Sequence, residues 1–171
     1  YKVGGDNAQQ YAELAKAMAD GQLYLEVEPP QWLVDMDNPY DKGARDELQK
    51  QTGESYLFDV AYYEGHYYVY FGVLPVLLFY LPFYLLTGSS FPTAIGVLIA
   101  CIMFVLGVTA LMDRFARHHF KRVSLGLFLL LQMPLVACSG MLYLVKFPTF
   151  YSLPIAMALA FTVWGLYFWL H

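Results

Sequence analysis

Apolar positions divide this chain into a half-polar beginning and an almost uncharged remainder. Residues 65–112 contain no Asp, Glu, Lys or Arg over 48 positions, and two further uncharged runs cover 123–145 and 147–170. A helix that crosses a membrane needs about 20 apolar residues, and helices of soluble proteins rarely stay uncharged for so long. The pattern therefore predicts a mainly α multi-pass membrane protein with about four membrane helices. The predicted segments of this transmembrane region, residues 72–171, are 73–87, 91–112, 123–145 and 150–170.

Residues 1–71 are predicted to form a loop region at the membrane edge. Within it, residues 6–20 have apolar side chains at helical spacing on one face, which predicts an amphipathic helix. Asp6 is placed to cap its N-terminus and Gly21 to end it. With a single apolar stripe, this helix is expected to lie on a membrane surface or on a core. A second, short and charged helix is predicted at residues 41–51.

Residues 56–71 alternate in a way that predicts a β-hairpin. A two-residue loop at Glu64 and Gly65 would pair Tyr63 with His66 and continue outward to Phe58 opposite Phe71. Because side chains alternate across a strand, the two faces differ in character. The apolar face, expected to point inward, would carry Phe58, Val60, Tyr62, Tyr67, Val69 and Phe71. The polar face, expected to point towards water, would carry Asp59, Ala61, Tyr63, His66, Tyr68 and Tyr70.

Charge separates the same two halves of the chain. Residues 1–64 hold 13 of the 14 acidic residues and have a net charge of −8, whereas residues 65–171 have a net charge of +4. The net charge of −4 describes neither half, and without a basic, aromatic-rich tract we expect no nucleic-acid partner. Residues 113–122 are predicted to be a short basic loop, which the positive-inside rule favours on the cytoplasmic side.

Two full crossings between the acidic region and the basic loop would place both on the same side of the membrane. Two alternatives remain open. Either the segment 73–87 is re-entrant, or the basic loop is an exception held in place by neighbouring helices.

Asp6 is the sharpest candidate for chemistry. As a carboxylate at the membrane edge it could act as general base towards a sugar hydroxyl or hold a metal ion, and the alternative is a plain N-cap. A helix N-terminus stabilises the charged carboxylate and lowers its basicity, which suits charge stabilisation or metal binding better than proton abstraction.

Hydroxyl-bearing rings on the polar face of the hairpin form the second candidate site. Asp59, Tyr63, His66 and Tyr68 could hold a sugar or phosphate by hydrogen bonds and ring stacking. The alternative is an aromatic belt at the membrane interface, which uses the same tyrosines. No cofactor is certain from the pattern. A divalent cation is expected if the acidic side chains of the first half converge, namely Asp6, Asp59, Glu26, Glu28, Asp35 and Asp37. Cys101 and Cys138 lie in apolar segments, where buried thiols are expected.

Several stretches resemble a known family. GGDNAQQYAELAKAMADGQLYLE, NPYD, YLFDVAYYEGHYYVYFG and LPVLLFYLPFYLLTG resemble the N-terminal region of bacterial multi-pass GT-C-type glycosyltransferases. These are similar to the protein O-mannosyltransferase and lipid A aminoarabinose transferase group. FPTFYSLPIAMALAFTVWGLYFWL also resembles a later span of such proteins. The resemblance covers nearly the whole chain through aromatic strings and spacing.

The resemblance implies a membrane enzyme that transfers a sugar, with inversion, from a polyprenyl-phosphate donor to an extracytoplasmic glycan, lipid or protein acceptor. It implies that Asp6 is the catalytic carboxylate. The substrate-binding candidates beside it are Tyr11, Asp59, Tyr63, His66 and Tyr68. Asn7 stands where the family commonly has Glu, and His66 stands where Lys is frequent.

The expected location is the bacterial inner membrane, with residues 1–71 extracytoplasmic. We expect the chain to be an N-terminal fragment that is inactive alone. The rival hypothesis is a non-catalytic membrane module, such as a lipid-linked-sugar transporter or an assembly subunit.

Overall fold

The computed structural model describes residues 9–120 and 122–170. The chain divides into two compact units, residues 1–91 and residues 92–171. The sequence pattern placed the boundary after residue 71. The structure places it later, because the apolar segment that follows the hairpin packs within the first unit, against the amphipathic helix.

Short elements make up the first unit and longer helices the second. The first unit contains α1 (Gln10–Ala19), α2 (Gln31–Val34), α3 (Lys42–Thr52), β1 (Ala61–Tyr63), β2 (His66–Tyr68), a π-helix (Val76–Tyr80) and α4 (Leu81–Thr87). The second contains α5 (Thr93–His119), α6 (Leu125–Ala137), α7 (Met141–Lys146) and α8 (Ser152–Trp169).

Helix α1 buries the face that its apolar spacing predicts. Tyr11, Leu14 and Ala15 are buried, and Gln10 is buried beside them. Gln9 occupies the cap position of this α-helix, and the predicted cap, Asp6, lies outside the described residues. At the other end, Gly21 has a φ of 82° and its N–H donates to the Met18 carbonyl at 3.1 Å. Glycine adopts this conformation without steric cost, so Gly21 ends the helix as the pattern predicts.

The two strands pair in antiparallel fashion with Tyr63 opposite His66, Tyr62 opposite Tyr67 and Ala61 opposite Tyr68. These are the three innermost pairs of the predicted hairpin. At the loop, Glu64 and Gly65 have φ values of 47° and 82°, as a type I′ turn requires. The outer pairs lie outside the strands, and Asp59 has a φ of 58°, which an extended strand residue does not adopt.

The two faces of the hairpin differ in burial, with one exception to the predicted pattern. Tyr62 and Tyr67 are buried, whereas Tyr63 and His66 are exposed. Phe58, expected inward, is instead 61% exposed. The left-handed conformation of the next residue interrupts the alternation, so the side chain of Phe58 no longer follows the face set by the inner pairs.

The predicted segment 73–87 becomes a short helix in the first unit. Pro75 precedes the π-helical turn, and Pro82 lies in the first turn of α4. A proline ring clashes with the carbonyl four residues earlier, and a wider π-turn relieves such a clash. At about 1.5 Å per residue, Val76–Thr87 is about 18 Å long, short of the roughly 30 Å hydrocarbon core. The segment is therefore too short to cross as a straight helix.

Helices α5 and α8 pack against each other through small residues. The buried face of α5 includes Gly96, Ala100 and Gly107, and that of α8 includes Ala156 and Ala160. Small side chains allow the close backbone approach that is typical of helix pairs in membranes. Helix α5 also extends to His119, through most of the predicted basic loop. The predicted loop is thus wrong over residues 113–119, which form the last turns of a helix.

The predicted span 123–145 is broken into two helices. Gly140, between α6 and α7, has a φ of 81°, and the Ser139 hydroxyl donates to the Val136 carbonyl at 2.7 Å. The same hydroxyl accepts from the Met141 N–H at 3.2 Å. Such local hydrogen bonds compete with the helical ladder, so the uncharged run does not form one continuous helix.

Two helices of this mainly α protein, Thr93–His119 and Ser152–Trp169, are long and apolar enough to cross a membrane. In the most apolar 18-residue stretch of each helix, 33% of the residues of the first helix and 28% of those of the second are buried. Large apolar side chains such as Leu98, Ile102 and Leu106 are exposed on the remaining surface. An exposed apolar surface of this extent is typical of contact with a membrane or another protein.

Candidate functional site

The candidate catalytic residue, Asp6, lies outside the described residues. The structure therefore describes the substrate-binding candidates alone. These candidates separate into one interior residue and several residues on the polar side of the hairpin.

Tyr11 belongs to the interior of the first unit. Its side chain is fully buried, and its hydroxyl donates to the Gly72 carbonyl at 3.2 Å. Its ring lies 5.6 Å from that of Tyr80, and desolvation, with a smaller effect from Tyr80, raises the pKa of Tyr11 above its usual range. In this arrangement Tyr11 joins α1 to the chain before the π-helix through the hydrogen bond of its hydroxyl to Gly72.

A third chain segment joins the hairpin and brings a residue that the sequence reasoning did not single out. The Leu25 N–H donates to the Tyr67 carbonyl at 2.8 Å, and the two residues form an antiparallel bridge. Because side chains alternate along extended chains, Tyr24 falls on the same side as His66 and Tyr68. The alternation in LYLEV was the available signal, since it identified a short extended segment.

Three rings on this side form what we call the aromatic platform: Tyr24, His66 and Tyr68. The rings of Tyr24 and His66 stack at 4.0 Å with an interplanar angle of 23°. The Tyr68 ring lies edge-on to Tyr24 at 6.3 Å. His66 is exposed, whereas Tyr24 and Tyr68 are half-buried. The platform thus combines apolar ring surface with hydroxyl and imidazole groups that can donate or accept hydrogen bonds.

Polar side chains lie near the platform residues along the chain, since Tyr63 pairs with His66 and Glu26 lies two positions after Tyr24. Tyr63 is exposed, and its hydrogen bond to the Glu64 carboxylate raises the pKa of the Tyr63 hydroxyl. The Glu26 carboxylate accepts a hydrogen bond from Lys16 Nζ at 2.6 Å. The Tyr63–Glu64 hydrogen bond and the Lys16–Glu26 ion pair both belong to the first unit.

Asp59 is not part of the aromatic platform, although the predicted polar face of the hairpin includes it. Its left-handed backbone falls outside the ladder, and its Oδ1 accepts a long hydrogen bond, 3.5 Å, from the Tyr70 hydroxyl. Desolvation, followed by the negative charge of Asp59, raises the pKa of Tyr70. The structure thus pairs Asp59 with Tyr70 and groups His66 and Tyr68 with Tyr24.

Behind the hairpin, Arg45 of α3 lies between two tyrosine rings. Its guanidinium carbon is 5.2 Å from the centre of the Tyr40 ring and 4.8 Å from that of Tyr56. The Tyr40 hydroxyl accepts from the Tyr62 N–H and donates to the Tyr62 carbonyl, both at 2.8 Å. These contacts tie α3 to β1. They also hold the buried side of the hairpin in place, opposite the side that carries the aromatic platform.

The carboxylates of the first half do not assemble into a metal site in the part of the chain that the structure describes. No group of three or more His, Cys, Asp or Glu side chains there is arranged to hold a metal ion. Among the described residues, the condition under which the sequence predicted a divalent cation is therefore not met.

Comparison with known proteins identified no relative of this chain. Scans against protein-family models, curated proteins and solved structures each found no match for this chain.

Proposed function

We propose that this chain belongs to a membrane glycosyltransferase that moves a sugar from a polyprenyl-phosphate donor to an extracytoplasmic acceptor. The observation that carries the proposal is the aromatic platform of Tyr24, His66 and Tyr68. A sugar ring offers an apolar C–H face and a rim of hydroxyls, and the platform offers matching ring surface and hydrogen-bonding groups. The two long apolar helices support a membrane location.

The structure favours one of the two topologies that the sequence leaves open. Because Val76–Thr87 is too short to cross as a straight helix, we assign it as a re-entrant or interfacial segment. Helix α5 is then the first crossing after the acidic region. Residues 1–71 are extracytoplasmic in this arrangement, and the basic end of α5, with Arg114 and Arg117, is cytoplasmic, as the positive-inside rule favours. The multi-pass, inner-membrane location is part of this proposal.

Cysteine accessibility tests this topology. In a variant without Cys101 and Cys138, we expect single cysteines introduced at Ser55 and His118 to react with an impermeant maleimide from opposite sides of sealed, oriented vesicles. Both positions are exposed in the structure. Labelling of both from one side would show an even number of crossings between them and overturn the re-entrant assignment.

Product analysis tests the proposed reaction. The full-length protein, reconstituted in vesicles, is expected to convert polyprenyl-phosphate mannose or aminoarabinose and a co-supplied acceptor into a covalent glycoside. Translocation of the lipid-linked sugar without a new glycosidic bond would instead establish the transporter alternative.

Tyr24→Ala tests whether the aromatic platform binds the sugar. An aromatic pair contributes about 0.5–1.5 kcal/mol beyond its buried area, so KM should rise about three- to tenfold while kcat changes little. Tyr24→Phe keeps the ring and should retain most of the affinity. Leu23→Ala, a change at the exposed neighbouring position, serves as the matched control. Equal KM values for Tyr24→Ala and Leu23→Ala would remove the platform from the binding site.

A further inference from the structure

We propose that the second unit binds an anionic phospholipid at the basic end of α5, with an acyl chain in an apolar cleft and the phosphate at Arg122. This inference rests on the membrane location and topology of the proposed function, and it does not depend on sugar transfer. It assigns a role to a surface that includes part of the predicted basic loop, residues 113–122.

The apolar part is a cleft of about 520 Å³ between three helices. It is lined by Phe115 of α5, Leu127 and Leu131 of α6, and Leu166 and Trp169 of α8. Its volume falls within the range of about 300–1,000 Å³ that is typical of ligand sites. A lining made almost wholly of hydrocarbon and aromatic side chains suits an alkyl chain.

A polar cleft of about 540 Å³ adjoins the apolar one and shares part of its lining, including Ala116, Phe120 and Arg122. It adds Thr109, Asp113 and Arg117. Arg122 therefore lies where the apolar and polar clefts meet. This is the position that the headgroup of a lipid would take when its chain fills the apolar cleft.

The charges of the polar cleft favour an anion at Arg122. Arg117 Nε donates to both carboxylate oxygens of Asp113, at 3.0 and 2.8 Å, so those two charges compensate each other. Arg122 has no hydrogen-bond or ion-pair partner among residues 9–120 and 122–170. The remaining positive charge at the junction is thus complementary to one phosphate group. A guanidinium suits this task because it can present two N–H donors to phosphate oxygens.

The position of the cleft along α5 decides which leaflet of the membrane it faces in the proposed topology. Helix α5 has 27 residues and is therefore about 40 Å long, and the cleft lies at its C-terminal, basic end. In the proposed topology this end lies at the cytoplasmic leaflet, whereas sugar transfer takes place outside the cytoplasm. Basic pockets between membrane helices at the cytoplasmic side are suited to anionic headgroups. These observations favour a membrane phospholipid over the polyprenyl-phosphate donor.

Native mass spectrometry of the full-length protein, released from nanodiscs with equal amounts of phosphatidylglycerol and phosphatidylcholine, tests this inference. We expect the protein to retain phosphatidylglycerol preferentially. Arg122→Gln should lower this preference about fivefold, the effect of one basic residue near an anionic lipid surface. Leu131→Trp should also lower retention, because the larger side chain fills the apolar cleft while Arg122 remains.

Lys146→Gln is the matched control, since it removes one exposed positive charge from the same unit but lies outside both clefts. It should leave the preference unchanged. Three results would overturn the site: no preference in the wild-type protein, equal losses for Lys146→Gln and Arg122→Gln, or displacement of phosphatidylglycerol by equimolar polyprenyl phosphate. The measurement needs no donor sugar or acceptor, so its failure is distinguishable from failure of the proposed transferase activity.

Discussion

Asp6→Asn in the full-length protein should reduce sugar transfer by about 10²-fold or more. The proposed role of this carboxylate is to accept the proton of the acceptor hydroxyl, or to stabilise positive charge as the donor bond breaks. An amide of the same shape can do neither, and general acid–base catalysis contributes about 10²–10⁴-fold. Because the loss falls on the chemical step, kcat should fall while KM for the donor changes little.

The matched control for Asp6→Asn is Asp20→Asn. Asp20 is an exposed carboxylate at the C-terminal end of α1, and the resemblance assigns it no role. The control should transfer sugar at nearly the wild-type rate. Asn has nearly the same size and shape as Asp, so Asp6→Asn should leave the fold unchanged. Near-normal transfer by a folded Asp6→Asn protein would remove Asp6 from the mechanism.

Local pattern was sufficient to predict the parts of the fold in which neighbouring residues determine the structure. The apolar spacing of α1 predicted burial of Tyr11 and Leu14, and the alternation around Glu64 predicted the inner pairs of the hairpin. Both predictions depend on contacts between residues close in the chain. The left-handed conformation of Asp59 could not be predicted in this way, since no glycine marks the position.

Long-range contacts determine the candidate site, and a single sequence does not show them. The stack of Tyr24 on His66 depends on the bridge between Leu25 and Tyr67, which joins segments more than 40 positions apart. Alternation in the segment around Tyr24 indicated an extended chain but not its partner. Tyr11 illustrates the same limit, because helical spacing predicts an inward face without showing that its hydroxyl bonds to Gly72.

Composition overestimated how much of the apolar half forms continuous helices. An uncharged run shows that a segment tolerates lipid, but prolines and a left-handed glycine decide whether the backbone stays helical. Pro82 accompanies the π-helical turn, and Gly140 separates α6 from α7. For α5, by contrast, the pattern underestimated the length of the helix. The ion pair between Asp113 and Arg117, one helical turn apart, supports α5 beyond its apolar part.

The contact between α5 and α8 at Gly107 is the second point at which a large effect is expected. A Cβ atom on Gly107 would lie 3.0 Å from Trp164 Nε1 and 3.1 Å from Val163 Cγ1. The same indole N–H donates to the Met103 carbonyl at 2.9 Å, so Trp164 cannot move freely without loss of that hydrogen bond. The helices can approach this closely only with a very small residue at position 107.

Gly107→Leu should therefore lower the free energy of unfolding by about 1–3 kcal/mol through overpacking, with a further loss if the Trp164 bond breaks. Gly107→Ala should be nearly neutral, because about 1 kcal/mol of improved helix propensity offsets the mild crowding. Denaturant titration in mixed micelles measures both, followed by Trp164 fluorescence in a background with Trp32 and Trp169 replaced by Phe. The control is Gly165→Leu, in α8 beside Trp164, where a Cβ atom meets open space. Equal destabilisation by Leu at positions 107 and 165 would show that close approach at Gly107 does not hold the helices together.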